Sequence, residues 1–185
     1  MPFNAPSPLP KPLLGRLIKR GIQLRNRINP GNDSAVELQI KTLRALLHRA
    51  QDTAFGLEHR FRDILNRPDP VRAFRETVPV HDYNALFDRW WHRSLAQEPD
   101  ICWPGKTVCF ALSSGTSGAP SKYIPVTREM QRAMKKASME MFLGIAEIPE
   151  VDPSIYARQM LMLGSTIELR REGGCQVGDL SGINA

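Results

Sequence analysis

A chain of 185 residues with 42% hydrophobic side chains can bury the core of one domain or one large subdomain, and its formal charge of +6 makes it moderately basic. That balance suits an anionic ligand or plain solubility as well as nucleic acid, and no apolar run is long enough to span a membrane. Three scattered cysteines (Cys102, Cys109, Cys175) without CxxC spacing, and four histidines without metal-ligand spacing, argue against a disulfide framework or zinc site and favour a reducing, cytoplasmic compartment.

Met1 to Pro12 carries five prolines and reads as an extended arm. Leu13 to Ile28 is a basic amphipathic segment with Leu14, Leu17, Ile18 and Leu24 near one helical face and no acidic residue before Asp33. It is expected to dock on the body through those four residues; a membrane-surface helix and a transit peptide are the competing readings. Residues 1–33 are accordingly set apart from a main body over 34–185.

The body opens with a capping box, Ser34-Ala-Val-Glu37, and an apolar stripe of Val36, Ile40, Leu43, Leu47, Ala50 and Ala54, with Gly56 placed to cap the helix C-terminus. Asp69-Pro70 and Asp82 begin two further helices. In the second, Tyr83, Leu86, Phe87, Trp90 and Trp91 form an apolar face better suited to packing than to stacking on a base. A strand is expected over Val108–Leu112 and another over Tyr123–Val126. Thr127 then caps a helix whose buried face is Met130, Met134, Ala137, Met141 and Ile145. Gln159–Ile167 reads as a buried strand, and Glu168–Val177 as a hairpin turning at Gly173-Gly174. Helices alternating with strands suggest an α/β (or α+β) body with helices packed on a mixed sheet.

The most informative stretch lies between the first two strands: Ser113, Ser114, Gly115, Thr116, Ser117 and Gly118, followed by Lys122. The glycines let a ligand approach the backbone, free N–H groups and hydroxyls in such a turn form an anion-binding concavity, and the lysine adds a mobile positive charge. The expected role is to grip the phosphates of a nucleotide. The loop lacks the Gly-Lys-Ser/Thr ending of a Walker loop, and the strand-like Tyr-Ile-Pro-Val that follows implies that it joins two strands rather than a strand and a helix.

This stretch resembles the phosphate loop of the adenylate-forming superfamily. Its continuation, Lys122-Tyr-Ile-Pro-Val-Thr127, is similar to one branch, the auxin-responsive acyl acid amido synthetases of plants and their bacterial relatives. Thr53-Ala-Phe-Gly56, Phe74-Arg-Glu-Thr-Val-Pro-Val-His-Asp-Tyr83, Trp103-Pro-Gly105 and Gly178-Asp-Leu-Ser-Gly-Ile183 agree in order. The resemblance runs from Ser34 to Ile183 and covers the N-terminal part of such an enzyme. It implies an ATP-dependent ligase that activates a small carboxylic acid as an acyl adenylate and conjugates it to an amino acid, with ATP and Mg²⁺ at the loop. The adenine, ribose and metal ligands would lie in the missing C-terminal part, so the chain alone is expected to be inactive and no catalytic acid or base is assigned. A non-catalytic nucleotide-binding or regulatory fragment is the alternative. Nucleic acid is not an expected partner, because the aromatics sit in core-like patterns rather than beside the N-terminal arginines.

Overall fold

The computed structural model describes residues 10–28, 34–113, 121–159 and 168–184. The chain divides into two compact units, Met1–Asn32 with Ala133–Leu163 and Asp33–Arg132 with Gly164–Ala185. The expected strand over Gln159–Ile167 lies, but for its first residue, outside the described residues.

In the first unit, helix α1 (Lys11–Ile28) packs on a 3₁₀ turn at Pro153–Ala157. The docking face is not the expected one. Gly15 and Ile22 are buried, whereas Leu14, Leu17 and Leu24 are exposed, Leu17 by 52%. Two causes are visible. A Cβ on Gly15 would stand 2.1 Å from the Pro153 carbonyl oxygen, so only glycine permits this approach. The same side of the helix carries polar groups that satisfy loop carbonyls: Lys19 Nζ donates to Ile148 O (2.9 Å) and Gln23 Nε2 to Ala146 O (2.9 Å). Asn26 Nδ2 donates to Glu147 (2.7 Å), and Arg25 pairs with Glu140 (2.9 Å). Backbone approach and hydrogen bonding select this face over the leucines.

In the second unit, α2 (Ala35–Ala50) starts at the expected capping box: Ser34 Oγ accepts from Glu37 N (3.2 Å), and Glu37 Oε2 accepts from Ser34 N (2.7 Å). Leu47 and Ala50 are buried with Phe61, Ile64 and Ala73, while Val36 at the open end of the stripe is exposed. Gly56 is not a C-terminal cap. The helix ends at Ala50, Thr53 caps a new one, α3 (Ala54–Glu58), and a Cβ on Gly56 would lie 2.0 Å from Ala50 O. Close contact between the end of α2 and the start of α3 is what requires glycine. Short helices α4 (Phe61–Leu65) and α5 (Pro70–Thr77) follow, and Asp69 caps the second through Val71 N (3.1 Å) and Arg72 N (3.0 Å). Helix α6 (Tyr83–Leu86) continues through a π-turn at Phe87–Trp91 into α7 (His92–Leu95).

The sheet is mixed, in the order β2-β1-β4-β3. Strands β1 (Cys109–Leu112) and β2 (Tyr123–Val126) are antiparallel, β4 (Cys175–Gly178) runs parallel to β1, and β3 (Arg170–Glu172) closes the far edge antiparallel to β4. β3 and β4 join through Gly173 and Gly174, both at positive φ, as the hairpin pattern requires. Strand alternation sends Cys109 and Ala111 to one face with Val126, Leu180 and Ile183, and Phe110 to the other with Cys175 and Val177. This sheet with its packed helices is the α/β body expected. Thr127 Oγ1 accepts from Met130 N (3.1 Å) at the start of α8 (Arg128–Gly144), as predicted. The methionine stripe of α8 is not a buried face, however: no residue of the helix is buried, and Met141 is 74% exposed. Periodicity identifies an apolar stripe, not what covers it.

Candidate functional site

The phosphate-loop candidates fall at the carboxyl end of β1. Ser113 follows the strand directly, and its N–H donates to the Lys122 carbonyl (3.0 Å); Lys122 N in turn donates to Ser113 Oγ (3.4 Å). Ser113 and Lys122 therefore face each other across the base of the loop, which joins two antiparallel strands as expected. Ser114, Gly115, Thr116, Ser117 and Gly118 lie outside the described residues. The Ser113 oxygen serves the backbone of Lys122, which leaves its hydroxyl hydrogen available to a ligand.

β4 runs parallel to β1, so its carboxyl end at Gly178-Asp179 opens on the same side as the loop. Leu112, Glu168, Leu169, Arg170, Val177 and Asp179 line a crevice of about 380 Å³ there. Ligands of open α/β sheets characteristically bind beyond the carboxyl ends of parallel strands. Arg170 and Glu172 form an ion pair (3.0 Å), and Glu172 also accepts from the Tyr123 hydroxyl (2.9 Å), so the loop's second strand is tied to β3 by its side chain.

Lys122 is exposed. Its ammonium lies 5.1 Å from the centroid of the Tyr83 ring, and the Tyr83 hydroxyl accepts from Tyr123 N (2.9 Å). Sequence reasoning placed Tyr83 only on an apolar helix face. The Asp82 cap fixed it in the first turn of α6, but nothing in the spacing signals a contact 39 positions downstream, at Lys122.

A second cluster lies away from the loop. Phe55, His59, His81 and Trp90 pack ring against ring, with the Phe55–His59 centroids 4.3 Å and the His59–His81 centroids 5.5 Å apart. His59 is 6% exposed, and its Nε2 and that of His81 are buried without partners among the described residues. Burial chiefly holds the His59 pKa below its ordinary value; His81 and Arg89 push the same way, and Glu58 opposes them. Burial also raises the thiol of Cys102 to about 11, and those of Cys109 and Cys175 above their ordinary value. None of the three has the depressed pKa of a nucleophile. Among the described residues, no group of three or more His, Cys, Asp or Glu side chains is placed to hold a metal ion, and no helix is long and apolar enough to cross a membrane.

No curated protein matches the chain. The family model described as the GH3 family N-terminal domain matches residues 25–184, a span that contains every motif quoted above, the strands flanking the loop, and Tyr83. The chain therefore belongs to the GH3 family, that of the auxin-responsive acyl acid amido synthetases, and represents its N-terminal part.

Proposed function

We propose that the polypeptide carrying this domain is an ATP-dependent ligase that activates a small carboxylic acid as an acyl adenylate and joins it to the amine of an amino acid. The observation that supports this reading best is the pairing of Ser113 with Lys122 at the carboxyl end of β1, in a member of this family. In the first step a carboxylate oxygen attacks the α-phosphorus of ATP, and the bond to the β-phosphate oxygen breaks to release pyrophosphate. In the second, the amine attacks the acyl carbonyl, loses a proton, and AMP leaves.

The loop's share of this chemistry is electrostatic. The hydroxyl of Ser113, with backbone N–H groups and hydroxyls of Ser114, Gly115, Thr116, Ser117 and Gly118, spreads the charge of the β- and γ-phosphates, and Lys122 adds a full positive charge where the leaving pyrophosphate gains negative charge. Magnesium ion supplies further charge neutralisation when bound. It characteristically enters such sites through the phosphates and one or two carboxylates, and no carboxylate of this chain is assigned to it.

The test is pyrophosphate exchange into ATP by the full-length polypeptide, screened across small carboxylic acids. Acid-dependent exchange is expected, and Lys122→Ala should reduce it on the order of a hundredfold, in line with loss of one electrostatic donor to a developing charge. Thermal unfolding should hardly change, because Lys122 is exposed. Nucleotide binding without exchange for any acid would favour the non-catalytic nucleotide-binding reading instead.

A further inference from the structure

Tyr83 has no part in the phosphate-loop reading, yet its side chain meets both Lys122 and Tyr123, the first residue of the loop's second strand. It opens α6 immediately after Asp82, whose carboxylate caps that helix through Ala85 N (2.8 Å). Its ring stacks on Phe87 with centroids 5.6 Å apart and an interplanar angle of 23°, and it meets Trp91 edge-on at 5.9 Å and 67°. The π-turn over Phe87–Trp91 underwinds the helix, which keeps positions 83, 87 and 91 on one side. The phenol is thus carried by a helix and braced by two aromatic neighbours, a more rigid mounting than a loop provides.

β2 is an edge strand. Lys122 O accepts from Ser113 N, so Lys122, Ile124 and Val126 direct their backbone groups towards β1, and Tyr123 and Pro125 direct theirs outwards. Pro125 has no N–H to offer, and the outward N–H of Tyr123 is the one the Tyr83 hydroxyl accepts, at 2.9 Å. Covering a strand edge would account for the hydroxyl alone. It would not account for the Lys122 ammonium 5.1 Å from the centroid of the same ring. A lysine stem has four rotatable bonds and an exposed head, so an aromatic face that attracts the cation narrows where that head resides.

We infer that Tyr83 is a positioning residue for Lys122. Its hydroxyl pins the backbone next to the lysine, and its ring holds the ammonium beside the loop, so that a triphosphate meets a charge already ordered. The inference rests on the phosphate-loop reading above. Its consequence is that part of the lysine's contribution to ATP use depends on the Tyr83 side chain.

The experiment is a double-mutant cycle on the full-length polypeptide. The kcat and KM for ATP are measured in acid-dependent pyrophosphate exchange for the wild type, Tyr83→Leu, Tyr83→Phe, Lys122→Ala and the two double variants. Tyr83→Leu should lower kcat/KM for ATP about five- to tenfold, and Tyr83→Phe, which keeps the ring but frees the Tyr123 N–H, about two- to threefold. In the Lys122→Ala background both changes should shrink to less than about twofold, because the group being positioned is gone. Equal factors in the two backgrounds would show a merely structural tyrosine and overturn the inference, leaving the loop reading intact. If Lys122→Ala itself leaves exchange unchanged, the loop reading fails and the inference falls with it. Should Tyr83→Leu not fold, the Tyr83→Phe cycle decides by the same comparison.

Discussion

Thr53 offers the sharpest test of how the helical part of the second unit is held together. Its side chain is 1% exposed, and one hydroxyl makes two bonds: it accepts from Gly56 N (3.1 Å) and donates to Ala50 O (2.7 Å). Ala50 O also accepts from Thr53 N (3.1 Å), so removing the hydroxyl leaves that carbonyl partnered but strands the Gly56 N–H. Gly56 is itself wedged against Ala50, which denies water access to the vacated position. Loss of a threonine cap costs about 0.5–2 kcal/mol, and burial places this one near the upper limit. Removal of the packed methyl costs about 1 kcal/mol more. Thr53→Ala should therefore destabilise by about 3 kcal/mol, Thr53→Val by about 2 and Thr53→Ser by about 1, with the melting temperature of the alanine variant falling roughly 6–12 °C. All three tryptophans, Trp90, Trp91 and Trp103, belong to this unit, and Trp90 packs on Phe55 two residues from the cap at 4.9 Å. Urea unfolding followed by tryptophan fluorescence consequently reports on the right region. A Thr53→Val variant as stable as the wild type, with Thr53→Ser carrying the whole loss, would show that packing rather than the cap holds the junction and refute the reasoning.

Three further outcomes follow from the same structure. Gly15→Val should release α1 from the Pro153–Ala157 turn and speed tryptic cleavage at Arg16 and Arg20, whereas Leu17→Glu on the exposed face should leave the cleavage pattern as in the wild type. His59 titrates near 6.5 when unfolded and lower when folded, so its contribution to stability is complete above about pH 6.5 and is lost as pH falls through the folded value. Melting temperatures measured between pH 7.5 and 5 should fall less steeply in His59→Phe than in the wild type; equal slopes would assign the acid sensitivity elsewhere. With the Cys102 thiol near 11 and Cys109 and Cys175 buried, iodoacetamide at pH 8 should label the native chain far more slowly than the chain in urea, and fast native labelling would contradict the burial.

Features that depend on a few neighbouring residues were legible in the sequence. The Ser34–Glu37 capping box, the Asp69, Asp82 and Thr127 caps, the Gly173-Gly174 hairpin and strands β1 and β2 all follow from local rules, and the structure reproduces them. What escaped depends on contacts between distant segments. Gly15 and Gly56 are glycines because another backbone passes close by, which no single segment discloses. The leucine stripe of α1 and the methionine stripe of α8 read as buried faces in the sequence and are not, since periodicity marks apolar residues without saying which side meets a partner. At the candidate site, the order of residues from Ser113 to Lys122 pointed to phosphate, and the pairing of the two end residues could be anticipated from the flanking strands. The grip of Tyr83 on Lys122 and Tyr123 could not, since it depends on a π-turn and on the exposed edge of β2.

The proposed chemistry is tested most directly by following one oxygen atom. When a carboxylic acid labelled with oxygen-18 in its carboxylate is supplied with ATP and an amino acid, attack on the α-phosphorus carries one labelled oxygen into AMP when the amide forms. The account predicts labelled AMP, unlabelled pyrophosphate and a yield of label equal to the yield of conjugate. Label in inorganic phosphate, or conjugate formed with unlabelled AMP, would contradict activation through an acyl adenylate.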